Sequence, residues 1–186
     1  MKKIVSFIMA AALCIPATAC GSSGDSSSSG GSTSKGTSEV SSPESIDSIL
    51  DIKLGTNYDD VVALLGQPDK RGNDKYTWYC KEEAPFEGLG IGLYDGEYRY
   101  IYAVTVSDKE ADKGKVNRIK CEFSPCRKAK WKAIQSFILE EFKINETVES
   151  LNNGTDYDCE AMNGSICFGN GKPEDDMMYN CYFELK

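Results

Sequence analysis

A break in composition near residue 44 decides how much of this chain can build a core. From Gly21 to about Ser42 the residues are almost wholly Gly, Ser and Thr, with a few charges. Such a stretch has too little apolar surface to offset the entropy lost on ordering, so it is expected to be a flexible coil. Taking about 5–6 Å times the square root of length, roughly twenty-four residues of this kind span about 25–30 Å. Of the 186 residues, those from Ser45 to Lys186 remain for folding, enough for one domain.

The segment ahead of the break, residues 1–19, has the layout of an export signal. Lys2 and Lys3 give a cationic start, Ile4 to Ile15 is apolar except for Ser6, and Pro16 ends the run. About twelve apolar residues are too few for a stable bilayer-crossing helix, which needs roughly twenty, but they suit a signal peptide. Ala17-Thr18-Ala19-Cys20 then resembles the lipobox of bacterial lipoproteins, with Ala17 where a larger aliphatic is usual. The resemblance implies cleavage before Cys20 and a lipid on that cysteine. Residues 20–44 would then be the tether, and the domain would sit on the extracytoplasmic face of a cell membrane. The alternative is an ordinary secretory signal with a chance cysteine.

Removing the signal takes away two of the 21 basic residues and none of the 29 acidic ones, moving the net charge from −8 to −10. So acidic a domain is not expected to lie on anionic lipid or to bind nucleic acid, whose partners carry basic patches. The chain has no histidine. This excludes Ser-His-Asp and Cys-His nucleophile systems, histidine proton shuttles and histidine-ligated metal.

Eight cysteines occur, of which Cys14 belongs to the signal and Cys20 to the lipid site. The other six are Cys80, Cys121, Cys126, Cys159, Cys167 and Cys181. An even number in an exported chain favours disulfides. Structural zinc would bring its ligands in close pairs such as C-x₂-C, whereas 40, 4, 32, 7 and 13 residues lie between these cysteines; free buried thiols are the other alternative. Fifteen pairings are open, and Cys159 with Cys181 is the first expectation, because each shares a predicted strand face with tyrosine.

The folded part reads as α+β, with helices on one face of an antiparallel sheet. Leu54 to Pro68 is the most specific local signal. Asn57 can cap a helix whose first turn holds Asp59 and Asp60, and Tyr58, Val61, Val62 and Leu65 share a face. Gly66 and Pro68 end it. Strands are expected at Lys75 to Cys80 and Val116 to Phe123. A hairpin is expected from Leu89 to Val106 around Asp95-Gly96. A second helix should begin at Ser124-Pro125, with Trp131, Ile134, Phe137, Ile138 and Phe142 as its stripe. Strands near Tyr157–Ala161, Ile166–Phe168 and Met177–Leu185 should close the chain. The shared plan allows two divergent helix-plus-strands repeats, 45–123 and 124–186, within one domain, 45–186.

The run Leu54, Gly55, Thr56, Asn57, Val61, Leu64, Leu65, Gly66 and Pro68 resembles the opening motif of the β-lactamase-inhibitor-protein-like fold. That group includes the small lipoprotein of the outer-membrane β-barrel assembly machine. Clear identity covers about fifteen residues, and Thr56-Asn57 departs from the usual Met-Thr. The motif carries a capped helix and no chemistry, so it implies a fold and, through it, a protein-binding role.

Two groups of side chains stand out as candidate sites. Tyr98, Tyr100 and Tyr102 fall on one strand face, which is either covered or a surface for a partner. Asp156, Asp158 and Glu160 share another, with Glu174, Asp175 and Asp176 nearby in sequence; oxygen clusters hold calcium, but alternating acids are equally the wet side of a strand. No metal, cofactor or catalytic residue is expected. The favoured reading is a non-enzymatic envelope module that binds another protein. The alternatives are a receptor for a small solute or wall fragment and, behind it, a carboxylate-based enzyme.

Overall fold

The computed structural model describes residues 46–171 and 176–186, which form one unit. The export signal, Cys20, the linker, Glu174 and Asp175 lie outside the described residues. No helix among the described residues is long and apolar enough to cross a membrane.

The first helix, α1 (Tyr58–Leu65), ends where its sequence says it should. Gly66 takes φ 75°, a conformation that suits glycine, and its N–H bonds Val62 O. Val61 is the fully buried residue of the helix, and Leu65 is half-buried. Asn57 makes no side-chain cap; its backbone instead bridges Lys115.

Strands β1 (Lys70–Arg71), β2 (Lys75–Cys80), β3 (Tyr100–Val106) and β4 (Val116–Phe123) follow, and then β5 (Cys126–Arg127) leads into α2 (Lys128–Glu141). Strands β6 (Asp156–Cys159), β7 (Gly164–Gly169), β8 (Met177–Met178) and β9 (Cys181–Leu185) complete the chain. Among the described residues, seven strands make one sheet in the order β1-β2-β3-β4-β9-β7-β6, with antiparallel neighbours throughout. The fold is therefore α+β. Strands β2, β3 and β4 descend from the first helix and β6, β7 and β9 from the second, and the two sets meet at the β4–β9 pair.

Register places Trp78, Tyr102, Cys121, Phe183 and Phe168 in one row across the sheet. Both helices pack on that side. Trp131 of α2 lies 6.0 Å from Phe123 and 6.4 Å from Phe168, and Phe142 lies 6.0 Å from Phe183. For α1, the indole of Trp78 donates to Gly66 O at 3.1 Å, and the Tyr58 ring stacks 4.1 Å from Tyr76. The alternation of Val116–Phe123 works as read: Ile119, Cys121 and Phe123 are buried, while Arg118, Lys120 and Glu122 point the other way.

Three sequence expectations are corrected. Leu89 to Leu93 is not a strand. Both edges of β3 are already taken by β2 and β4, and side chains claim the free carbonyls: Lys130 bonds Leu89 O, Arg99 bonds Ile91 O and Ser124 bonds Gly92 O. Of that hairpin only a Tyr94–Tyr98 bridge forms. The same loop carries Phe86 into the core, edge-on to Tyr100 and Phe123 at 5.1 Å each. The second helix begins at Lys128, because Cys126 and Arg127 are spent on pairing with Met178 and Met177. Finally, the last strand is broken. Asn180 turns at φ 51°, so Tyr179 is exposed while Cys181, Phe183 and Leu185 stay inward.

Candidate functional site

Neither helix packs on the second face of the sheet. One row across it reads Tyr79, Ile101, Glu122 and Tyr182; the next reads Thr77, Ala103, Lys120, Glu184, Cys167 and Asp156. Lys75, Thr105 and Arg118 begin a third. A shallow depression of about 350 Å³ lies between Lys75, Arg118, Lys120, Tyr182 and Glu184.

Aromatic rings gather at one corner. Tyr98 stacks 5.2 Å from Tyr79 and 5.5 Å from Tyr94, while Lys70 Nζ lies 5.2 Å from the Tyr79 ring centroid. Burial first, then the neighbouring Tyr94 and Tyr79, push the Tyr98 hydroxyl above its ordinary pKa. Leu93 and Tyr94 beside it are 47% and 41% exposed, an apolar and an aromatic tip offered to solvent.

Charge and ring alternate in the centre of the face. Lys120 Nζ sits 4.3 Å over the Tyr182 ring and 2.9 Å from a Glu122 oxygen. Tyr182 lies flat against the sheet because its partner across the ladder is Gly169: a Cβ there would meet ring atoms at 2.2 Å. Arg118 pairs with Glu184, and that bond raises the arginine's pKa. A ring held between a lysine and a glycine is a rigid, amphipathic contact surface of the kind that protein interfaces use as anchors.

The tyrosine row expected from the sequence is split by the fold. Tyr100 and Tyr102 are 3% and 1% exposed, inside the core, with hydroxyls bonded to Ala84 O and to Ile49 O. Burial lifts both far above the ordinary tyrosine pKa. They offer no surface to a partner. Tyr98 leaves the alternation because the chain turns to close the Tyr94–Tyr98 bridge, and its ring lands on Tyr79 of the other face. Tyr79 and Tyr182 lie outside the expected tyrosine row, although alternation carries their signal: each sits between inward residues, Trp78 and Cys80 or Cys181 and Phe183.

The cysteines scatter as well. All six thiols are free. Cys159 and Cys181 are not neighbours: through β7 their registers fall six positions apart, roughly 20 Å along a strand. Burial raises Cys80 to about 11, which makes it a poor nucleophile. Asp156 and Asp158 are exposed on the open face, Glu160 begins a separate helical turn, and Asp156 pairs with Lys186 at 2.9 Å. Among the described residues no cluster of acids or cysteines is placed to hold a metal ion.

Further grooves open to solvent lie elsewhere among the described residues. One of about 670 Å³ runs past Leu50, Lys53, Phe142 and Met162. Another, of about 580 Å³, lies between Leu64, Leu65, Trp78 and Pro85 with Asp69 and Glu82 among its walls. Compared with protein-family models, curated proteins and solved structures, the chain matches none, and its reading rests on the residues and geometry of its two sheet faces.

Proposed function

We propose that this chain is a lipoprotein of the cell envelope, anchored by lipid on Cys20, and that its domain is a non-enzymatic module binding another protein through the open face of the sheet. The observation that carries the binding half is the asymmetry of the sheet: both helices cover one side, and the other presents Tyr79, Tyr94, Tyr98 and Tyr182 among paired charges. Rigid rings with polar tips give contact area at small entropic cost, which suits protein partners. The anchoring half rests on the junction Ala17-Thr18-Ala19-Cys20 and the Gly/Ser-rich stretch after it.

The finer fold reading belongs here too. Each half supplies one helix and then strands of the sheet, four from the first half and three from the second, and the halves meet at β4 and β9. This supports two divergent repeats and the likeness to the inhibitor-protein-like fold that the Leu54 to Pro68 motif suggests.

Photo-crosslinking groups placed singly at positions 79, 94 and 182 in the native cell test the surface, with position 136 on the exposed side of α2 as control. One and the same protein captured from the three sheet positions and not from position 136 is the expected result. Equal capture from all four, or none, would remove the open face as a site. Cys20→Ser should leave the chain unlipidated and out of the membrane fraction; unchanged detergent partitioning would overturn the anchor.

A second reading, a small-solute receptor, draws on the groove beside α1, whose apolar walls Leu64, Leu65, Trp78 and Pro85 stand near two acids. A ligand-induced rise in melting temperature that Leu65→Asp abolishes would favour it.

A further inference from the structure

Three cationic side chains stand around one small hollow of the open face, in a chain whose net charge is −8. The hollow follows from the lengths of alternating residues. On β3 the outward positions Ala103 and Thr105 are short, while their neighbours on the flanking strands, Lys75 on β2 and Arg118 and Lys120 on β4, are long. Long side chains on two banks and short ones between them leave the depression of about 350 Å³, with Glu184 across the ladder from Lys120 and Tyr182 beside it. The three cations are not equally engaged. Lys120 lies between Glu122 at 2.9 Å and the face of the Tyr182 ring at 4.3 Å. Arg118 donates from Nε to Glu184, an acid only 8% exposed, and its two terminal nitrogens bond nothing among the described residues. Lys75 is exposed at the start of β2 and pairs with no carboxylate among the described residues. Even counting Glu122 from the next row, three cations meet two carboxylates. The unmet charge lies on Lys75 and on the free side of Arg118.

We propose that this hollow receives one acidic side chain of the protein partner, its carboxylate held between Lys75 and Arg118. The inference rests on the open-face reading and adds the chemistry of what is recognised there. A guanidinium presents parallel N–H donors that match the two oxygens of a carboxylate, and a lysine adds a point charge that its flexible stem brings to the same group. Glu184 holds the arginine in place before any ligand arrives, which lowers the ordering cost of binding. Tyr182 is a wall of the hollow and also an anchor of the aromatic surface, so one segment can lie on the rings and lower an acid beside them. The surrounding charge selects a single acid over a polyanion. A phosphate-bearing polymer or an anionic lipid surface brings many negative charges to a chain that is itself acidic, and they repel across the whole domain. One carboxylate seated in the hollow is within the screening length of its cations, about 8–10 Å at physiological salt, and is largely screened from the more distant acids.

A photo-crosslinking group in place of Thr77, which follows Lys75 on the same face of β2, tests the chemistry in native cells beside the group at position 182. Two residues of strand span about 7 Å, so the captured segment, read by mass spectrometry, should carry Asp or Glu within about three residues of the link. Lys75→Glu should lower recovery from position 182 about tenfold or more, Lys75→Gln by less, and Lys75→Arg by under about twofold. All three should melt within about 2 °C of wild type, because Lys75 is exposed and unpaired. Lysine in place of the captured acid on the partner should restore recovery to the Lys75→Glu chain. Recovery from position 182 that Lys75→Glu leaves unchanged would overturn the inference and keep the open face as a binding surface. So would a captured segment without acids, or a lipid or phosphate polymer at position 77 in place of a peptide. Capture from none of the sheet positions would instead remove the open-face reading on which the inference stands. Should Lys75→Glu melt early, Lys75→Gln at native stability decides: reduced recovery upholds the site, and full recovery overturns it.

Discussion

The two faces of the sheet are built from alternating residues of the same strands, yet they ask different things of a side chain. On the covered face Trp78, Tyr102, Cys121, Phe183 and Phe168 fill a closed space between strands and helices, and each is almost fully buried. On the open face most side chains are half-buried by one another: Tyr98 by Tyr79, and Tyr182 by Lys120 and the bare backbone of Gly169. Volume is fixed on the first face by what lies opposite. On the second face nothing among the described elements lies opposite, so ring placement there is not dictated by core filling. The comparison therefore makes a claim that substitution can break. Changes on the covered face should cost folding energy, and changes on the open face should cost recognition.

The largest effect is expected at Tyr102. Its ring is 1% exposed and its hydroxyl bonds Ile49 O at 3.4 Å, so Tyr102→Ala leaves both a cavity and an unpaired carbonyl. Denaturant unfolding should show a loss of about 3–5 kcal/mol. A loss under about 1 kcal/mol would mean that the row is not packed and would remove the distinction between the faces. Next comes Val61→Ala, on the helix that covers the same face. Val61 is fully buried, and removing two methyl groups should cost about 2 kcal/mol by the same measurement. A midpoint unchanged from wild type would place α1 off the core.

These two residues also show what alternation and periodicity can and cannot reveal. Helix α1, strand β2 and strand β4 follow from local pattern alone, because one face of each is buried and the period of the element makes that face visible. The Leu89–Tyr94 segment has a strand's composition and a turn after it, but no unpaired edge of β3 was available to it. That is a fact of topology, set by residues far away in sequence. The start of α2 is not local either, since Cys126 and Arg127 pair with Met178 and Met177, some fifty residues on. Tyr98 departs from the expected row because alternation stops where a strand stops, and nothing local says that β3 begins at Tyr100. The candidate surface was legible at Tyr79 and Tyr182, which stand opposite in phase to inward neighbours. The corner tyrosines depend on register and could not be read from the chain.

A smaller effect on folding, with a larger one on recognition, is expected at Gly169. A methyl group there would meet the Tyr182 ring at 2.2 Å, and the ring is the end of a side chain that can swing away. Gly169→Ala should therefore cost roughly 1 kcal/mol in folding while lifting the ring off the face and breaking its contact with Lys120. Fluorescence or NMR of Tyr182 should register the displacement, and crosslink recovery from position 79 should fall. An unmoved Tyr182 would mean that the backbone gives way instead, and the flat ring would lose its place in the proposed surface.

The smallest change in stability, and the sharpest test of the comparison, is expected from Tyr79→Ala combined with Tyr98→Ala. The two rings lie 5.2 Å apart on the open face, and neither touches the row that holds Trp78 and Tyr102. Removing them leaves no cavity in the core, so the double variant should unfold within about 1 kcal/mol of wild type. Interface anchors behave differently: losing one costs about 2 kcal/mol or more of binding, roughly thirtyfold in affinity. Melting temperature and crosslink recovery from position 182 should be measured on the same samples, because position 182 lies on the face yet outside the removed pair. Near-native stability with recovery lost is the expected outcome. A stability loss approaching that of Tyr102→Ala would show that the corner rings support the fold and would join the two faces into one packed body. Stability and recovery both unchanged would move recognition away from this corner, toward Lys120 and Tyr182 at the centre of the sheet.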